Sequence, residues 1–206
     1  MSKATSFKNI CPTGLSIENN VKTSKVGRLI FAKHDDKNLI FQTPKLSLAW
    51  DADARLNKFG KVNCCLPLSL SGEAALPFKR WLVQVECEIK RLIGLNRTAL
   101  LGDTSPIYLE RMSIVKEPAS SGRHLSTTVL PRMPFDDESL LIKTPVVDPS
   151  GKRLDAEEVL KKDAEVIAIL RLEFIHVGDD SVSVRLVTEK VCVFPKKEIE
   201  FDFSEV

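Results

Sequence analysis

Two apolar runs separated by Gly178-Asp179-Asp180 constrain this chain more than any other feature. The first holds Val166, Ile167, Ile169, Leu170, Leu172, Phe174, Ile175 and Val177. The second holds Val182, Val184, Leu186, Val187, Val191, Val193 and Phe194. Their β-branched density favours extended backbone, and Gly-Asp-Asp suits a tight reversal. The spacing predicts a long β-hairpin from Ala164 to Phe194. In the first run apolar residues fall on both parities, which predicts burial on both faces over part of its length. A long, bent, doubly buried strand suits a small closed barrel.

Upstream, the pattern is mostly of strands. RLIFAK (Arg28 to Lys33) and NLIFQT (Asn38 to Thr43) flank the polar His34-Asp35-Asp36-Lys37 and predict a second hairpin. Leu46, Leu48 and Trp50 alternate with polar or small neighbours, as in a half-buried strand. Arg55 to Lys61 reads as a basic loop bearing Phe59. KVNCCLPLSLS (Lys61 to Ser71) reads as a strand which Pro67 places at an edge or bulge. Ile107 to Val115, Leu125 to Met133 and Ser139 to Lys143 read as further strands, and Asp155 to Lys161 as a short helix.

One long helix interrupts them. Phe78, Trp81, Leu82, Val85, Ile89, Leu92 and Ile93 recur at helical spacing, Pro77 sits near the first turn and Gly94 marks a stop. Trp81 reads as a core anchor, and Phe31 and Phe41, inside apolar runs, also read as core. The fold class is therefore mainly β with one long helix (α+β), a closed antiparallel barrel with long loops; a jelly-roll sandwich is the alternative. Residues 1–25 are set apart as a polar N-terminal arm, 26–195 as the barrel domain and 196–206 as an acidic C-terminal tail.

Composition narrows the function classes. The chain has 206 residues, 43% hydrophobic and 28% charged, enough to bury a real core. No apolar run approaches a membrane span, and the start lacks the apolar core of a signal peptide, so an intracellular location, cytoplasm or nucleus, is expected. The five cysteines show no metal-ligand spacing and read as reduced, mostly buried thiols; no cofactor and no metal are expected. There is no nucleophile elbow, phosphate-binding loop, zincin helix or dinucleotide glycine fingerprint, and an enzyme is unsupported. The acidic pairs Asp35-Asp36, Asp136-Asp137 and Asp179-Asp180 fall in turns, where they are usually solvated.

The charge is asymmetric. Residues 1–133 carry a net +9 and residues 134–206 a net −7. Cations spread over the β body together with aromatic residues suit single-stranded nucleic acid: cations neutralise phosphates, and flat rings stack on unpaired bases. The candidate contacts are Arg28, Lys33, Lys45, Trp50, Arg55, Lys58, Phe59, Lys61, Tyr108, Arg111, Lys116, Arg123 and Arg132. At the other end, Glu200, Phe201, Asp202 and Phe203 belong to a tail in which carboxylates alternate with apolar residues. Such a tail can occupy the protein's own basic groove or dock on partner enzymes; it also reads as one more strand.

FQTPKLSL (Phe41 to Leu48), LPLSLSG (Leu66 to Gly72) leading into FKRWLVQVECEI (Phe78 to Ile89), and LKKDAEVIAILRLEFIHV (Leu160 to Val177) resemble single-stranded-DNA-binding proteins of large eukaryotic DNA viruses, which have an OB-like barrel. The chain is also similar to those of short-tailed phages, which share a barrel, an inserted helix and an acidic, aromatic-bearing tail. The phage tails end on an aromatic residue, whereas this chain ends Ser204-Glu205-Val206. The resemblance implies a non-enzymatic protein with an OB-like closed barrel that coats and protects single-stranded DNA during replication or recombination. It implies replication proteins as partners through the tail. A homo-oligomer through the N-terminal arm or the tail is a further expectation. The alternative is a viral structural or assembly protein without nucleic-acid affinity.

Overall fold

The computed structural model describes residues 4–18, 21–24, 27–56, 62–102, 106–118, 126–136, 138–139 and 141–195. In chain order the strands are β1 (Thr5–Ser6), β2 (Leu15–Ile17), β3 (Lys22–Ser24), β4 (Gly27–Ile30), β5 (Ala32–His34), β6 (Lys37–Asn38), β7 (Ile40–Gln42), β8 (Leu46–Ser47), β9 (Ala54–Leu56), β10 (Val62–Cys64), β11 (Leu68–Ser69), β12 (Thr128–Val129), β13 (Val146–Val147), β14 (Glu165–Val177) and β15 (Val182–Phe194). The helices are α1 (Leu76–Leu95), α2 (Arg97–Leu101), α3 (Pro106–Glu110) and α4 (Ala156–Val159). The fold is thus mixed, mostly sheet with one long helix.

The β14–β15 hairpin is the scaffold. The two strands pair antiparallel over their whole length. Along the other edge of β14 lie β4, β7 and β8 in turn, all antiparallel. β1 adds parallel to β7, and β13 parallel to β15, so the strand path β1-β7-β14-β15-β13 is open. Isolated bridges reach beyond it: Leu48 to Leu68, Cys65 to Arg132, and Arg132 to Val187, the last parallel. Asp35 and Asp36 form the turn between β5 and β6, both with positive φ.

The predicted double burial of β14 is corrected. Val166, Ala168, Leu170 and Leu172 are buried, while Ile167, Ile169 and Arg171 are half-buried. Register shifts at Ile169/Leu170 and Leu172/Phe174 explain the mixed parity. They leave Glu189 without a cross-strand partner on β15, and Glu173 without one on β14. After the second bulge the side-chain parity inverts, so Ile175 and Val177 join the buried face.

α1 packs the predicted stripe, burying Phe78, Trp81, Leu82, Val85, Ile89 and Ile93. The helix runs past Gly94, and Asn96 is its C-cap. Phe7, Phe41, Phe78 and Trp81 form one aromatic cluster with centroids 4.8–6.2 Å apart. Trp81 Nε1 donates to the Ile10 carbonyl at 2.9 Å. Residues 4–17, assigned from sequence to an arm, therefore supply Phe7, Ile10 and Leu15 to the core. Phe41 is core, but Phe31 is half-buried with Lys22 Nζ 5.2 Å from its ring centre.

Other expected elements change. Residues 106–110 are helical, not the start of a strand: Pro106 occupies the first position, and Leu109 and Met112 are buried at a helical spacing. Among the described residues, the expected strand Ser139 to Lys143 contributes one bridge, Ile142 to Phe135. Leu125 lies outside the described residues, residues 126–133 hold β12, and Pro67 splits its run into β10 and β11. All five cysteines are unpaired, but Cys11 and Cys87 are exposed, against the expected burial. No helix among the described residues is long and apolar enough to cross a membrane.

Candidate nucleic-acid interface

Between β10 and β15 the structure places one predicted contact, Arg132. Around Cys65 the chain alternates: Cys64 and Leu66 are fully buried, while Cys65 is half-buried. Burial pushes the Cys64 thiol up to about 12 and raises that of Cys65, the latter opposed by the Arg132 charge. Arg132 bridges Cys65 on one side and Val187 on the other, between buried Pro131 and Met133. Its guanidinium lies 6.0 Å from the Phe135 ring centre. No ion pair of Arg132 occurs among the described residues. A half-exposed, unneutralised guanidinium beside a half-exposed ring suits a phosphate and an adjacent base.

The loop after β8 approaches the same surface. Trp50 is half-buried, and β9 pairs antiparallel with β10, setting the Arg55 backbone opposite Asn63. Lys58, Phe59 and Lys61 lie outside the described residues, as do Arg123 and the tail residues Glu200, Phe201, Asp202 and Phe203.

Elsewhere the predicted contacts are dispersed and already engaged. Lys33 pairs with Glu18, whose hydrogen bond raises the lysine pKa. Lys45 pairs with Glu165 at 2.6 Å and sits 4.8 Å from the Phe194 ring centre. The Arg28 guanidinium packs against Gly102 at the end of α2, where any Cβ would collide with it. Tyr108 packs half-buried on the core with the Arg111 guanidinium 6.0 Å from its ring centre. Lys116 Nζ donates to the Ser113 carbonyl at 2.7 Å. Lys33, Lys45, Arg28 and Tyr108 thus each have a contact within the body, while Lys116 is paired through its backbone with Thr128, on the segment that carries Arg132.

The neighbouring outer face of the hairpin is neutralised. Arg171 Nε donates to Glu189 Oε1 at 2.6 Å, and Arg185 Nε lies 3.1 Å from Glu173 Oε2 without hydrogen-bond geometry. The two bulged glutamates thus answer the two arginines, and Phe174 lies under Arg185 at 5.3 Å. On that side Arg132 is a cation without an ion pair among the described residues. Phe135 and Cys65, the neighbours of Arg132, are not among the candidates read from the sequence; the three-residue spacing of Arg132 and Phe135 is the available signal for the first. Among the described residues no group of three or more His, Cys, Asp or Glu could hold a metal ion.

No protein-family model matches the chain, and no curated protein matches it. Solved structures do. The single-stranded DNA-binding protein from bacteriophage Enc34 in complex with single-stranded DNA is similar over 84% of this chain and 93% of that chain, at 12% identity and a TM-score of 0.51. Its C-terminal truncation is similar over 87% and 97%, at 12% identity and a TM-score of 0.50. The single-stranded DNA-binding protein encoded by bacteriophage T7 covers 81% and 92%, at 16% identity and a TM-score of 0.44. At such identities the likeness to the Enc34 protein is one of fold.

Proposed function

We propose that the protein is a non-enzymatic single-stranded DNA-binding protein of the kind found in DNA phages and large eukaryotic DNA viruses. It coats and protects single strands during replication or recombination. The body is an OB-like closed barrel. Its first strand is the segment 40–48, its second 62–69, its third 128–133, and its fourth and fifth are β14 and β15. The pairings support this ring: Leu46 with Val166, Leu48 with Leu68, Leu68 with Val129, Arg132 with Val187, and β15 with β14. The order is first, second, third, fifth, fourth and back to first. OB-folds bind oligonucleotides on the face of the second and third strands and on the loops after the first and fourth.

The observation that carries the reading is the place of Arg132. It lies on the third strand, between the second strand and β15, without an acidic partner among the described residues and next to Phe135. Arg132 takes a phosphate; Arg55, Lys58 and Lys61 on the first loop take its neighbours. Trp50, Phe59 and Phe135 stack on unpaired bases, each worth about 1–3 kcal/mol. Stacking accepts any base, so binding is sequence-tolerant and needs no chemical step. Glu200, Phe201, Asp202 and Phe203 serve as a handle for replication proteins.

The test compares two arginines that are both partly buried. Arg132→Ala weakens binding to oligo-dT and flattens its salt dependence by about 0.7 in log–log slope, the loss of one phosphate contact. Arg185→Ala, whose charge Glu173 already answers, leaves both unchanged. Equal effects of the two substitutions reject this face.

A further inference from the structure

A cavity of about 750 Å³ opens where the chain leaves β15. That volume lies within the range of ligand-holding pockets, about 300–1,000 Å³. Leu154, Val159, Val193 and Phe194 form its apolar lining, and Lys161 and Lys162 stand at its rim. Two carboxylates also line it, Asp148, which accepts from Ser150 N, Ser150 Oγ and Lys152 N and stays charged, and Glu158. Among the described residues Lys161 has only a long ion-pair contact, 3.8 Å, to Asp51, with both side chains exposed. Lys162 has no side-chain ion pair among the described residues.

Pro195, on the cavity wall, is the last described residue. The remainder reads Lys-Lys-Glu-Ile-Glu-Phe-Asp-Phe-Ser-Glu-Val. Ile199, Phe201 and Phe203 recur at every second position, so in extended backbone they share one face and Glu198, Glu200 and Asp202 the other. Phe201 is six residues beyond Pro195, a reach of up to about 20 Å. Lys196 and Lys197 leave room to reverse direction.

We propose that this cavity is the docking site of the chain's own C-terminal segment. Ile199 and Phe201 pack against Leu154, Val159 and Phe194, and the alternate carboxylates face Lys161 and Lys162. The apolar contact supplies most of the attraction; exposed ion pairs contribute little and mainly set direction. A partner protein that takes hold of the tail must first draw it out of this cavity. The proposal does not depend on the nucleic-acid reading.

The test is Phe201→Trp in the full chain, with the emission of the wild type subtracted to remove Trp50 and Trp81. Docking predicts blue-shifted emission and acrylamide quenching several-fold weaker than in the same chain also carrying Val159→Asp. Leu154→Gln serves as a second cavity variant, each compared at unchanged far-UV circular dichroism. Red-shifted, freely quenched emission that neither variant alters overturns the proposal. So does protection that both variants leave intact, which puts the tail on another surface. Protection that grows with protein concentration also overturns it, by assigning the cavity to the tail of a second copy.

Discussion

Trp81→Phe tests how the N-terminal segment is built into the body. Trp81 is 6% exposed, stacks on Phe78 at 5.9 Å and meets Phe41 edge-on at 4.8 Å. Its Nε1 donates to the Ile10 carbonyl at 2.9 Å. The substitution removes that donor, and an unsatisfied buried acceptor costs about 1–3 kcal/mol. The lost ring atoms add about 1 kcal/mol of transfer free energy. The expected total is about 2–4 kcal/mol, which for a chain of this size lowers Tm by roughly 5–15 °C. Urea unfolding followed by far-UV circular dichroism measures the loss. Phe7→Ala, on the other side of the same cluster, costs about 3–5 kcal/mol. If both variants fall within about 0.5 kcal/mol of the parent, residues 4–17 are not part of the core and the reasoning fails.

Gly27 has φ +135°, and a Cβ there would collide with the Val177 carbonyl oxygen, so Gly27→Ala must displace β4 from β14. The expected loss is about 2 kcal/mol or more, read in the same unfolding assay. Asp136 is held well below the usual carboxylate range by Lys143 and the backbone N–H groups of Ser139 and Glu138. A depressed folded-state pKa gives stability that is present above the unfolded value of about 3.9 and lost as pH falls through the folded one. Asp136→Asn should therefore lose less stability than the parent on acidification below about pH 4; parallel acid limbs would contradict this. Cys11, exposed and with its thiol pKa lowered chiefly by the Thr13 hydroxyl, and exposed Cys87 should react fast with a thiol reagent at pH 8. Cys64, buried and raised to about 12, should react only on unfolding; mass spectrometry of the labelled protein counts the sites.

The hairpin from Ala164 to Phe194 and the stripe of α1 were legible because each repeats one period over many residues. Bulges were not: Glu173 and Glu189 shift register through backbone geometry that no side-chain pattern marks. Residues 107–115 alternate well enough to pass for a strand, and only Pro106 and the Leu109–Met112 spacing betray the helix. The N-terminal segment reads as polar because Phe7, Ile10 and Leu15 are too sparse to show a period. Lys33 and Lys45 looked available since a sequence does not reveal that Glu18 and Glu165 are their partners. What separates Arg132 from Arg185 lies in the cross-strand neighbours, which only the fold supplies.

The central claim is most directly tested by a salt titration of binding to oligo-dT and to a duplex of equal length. Single-strand binding at this face predicts preference for the single strand, and an affinity whose logarithm falls linearly with that of salt, by about 0.7 per phosphate neutralised. It also predicts quenching of tryptophan emission that Trp50→Phe removes. No complex with the single strand at low salt, or equal affinity for the duplex, contradicts it.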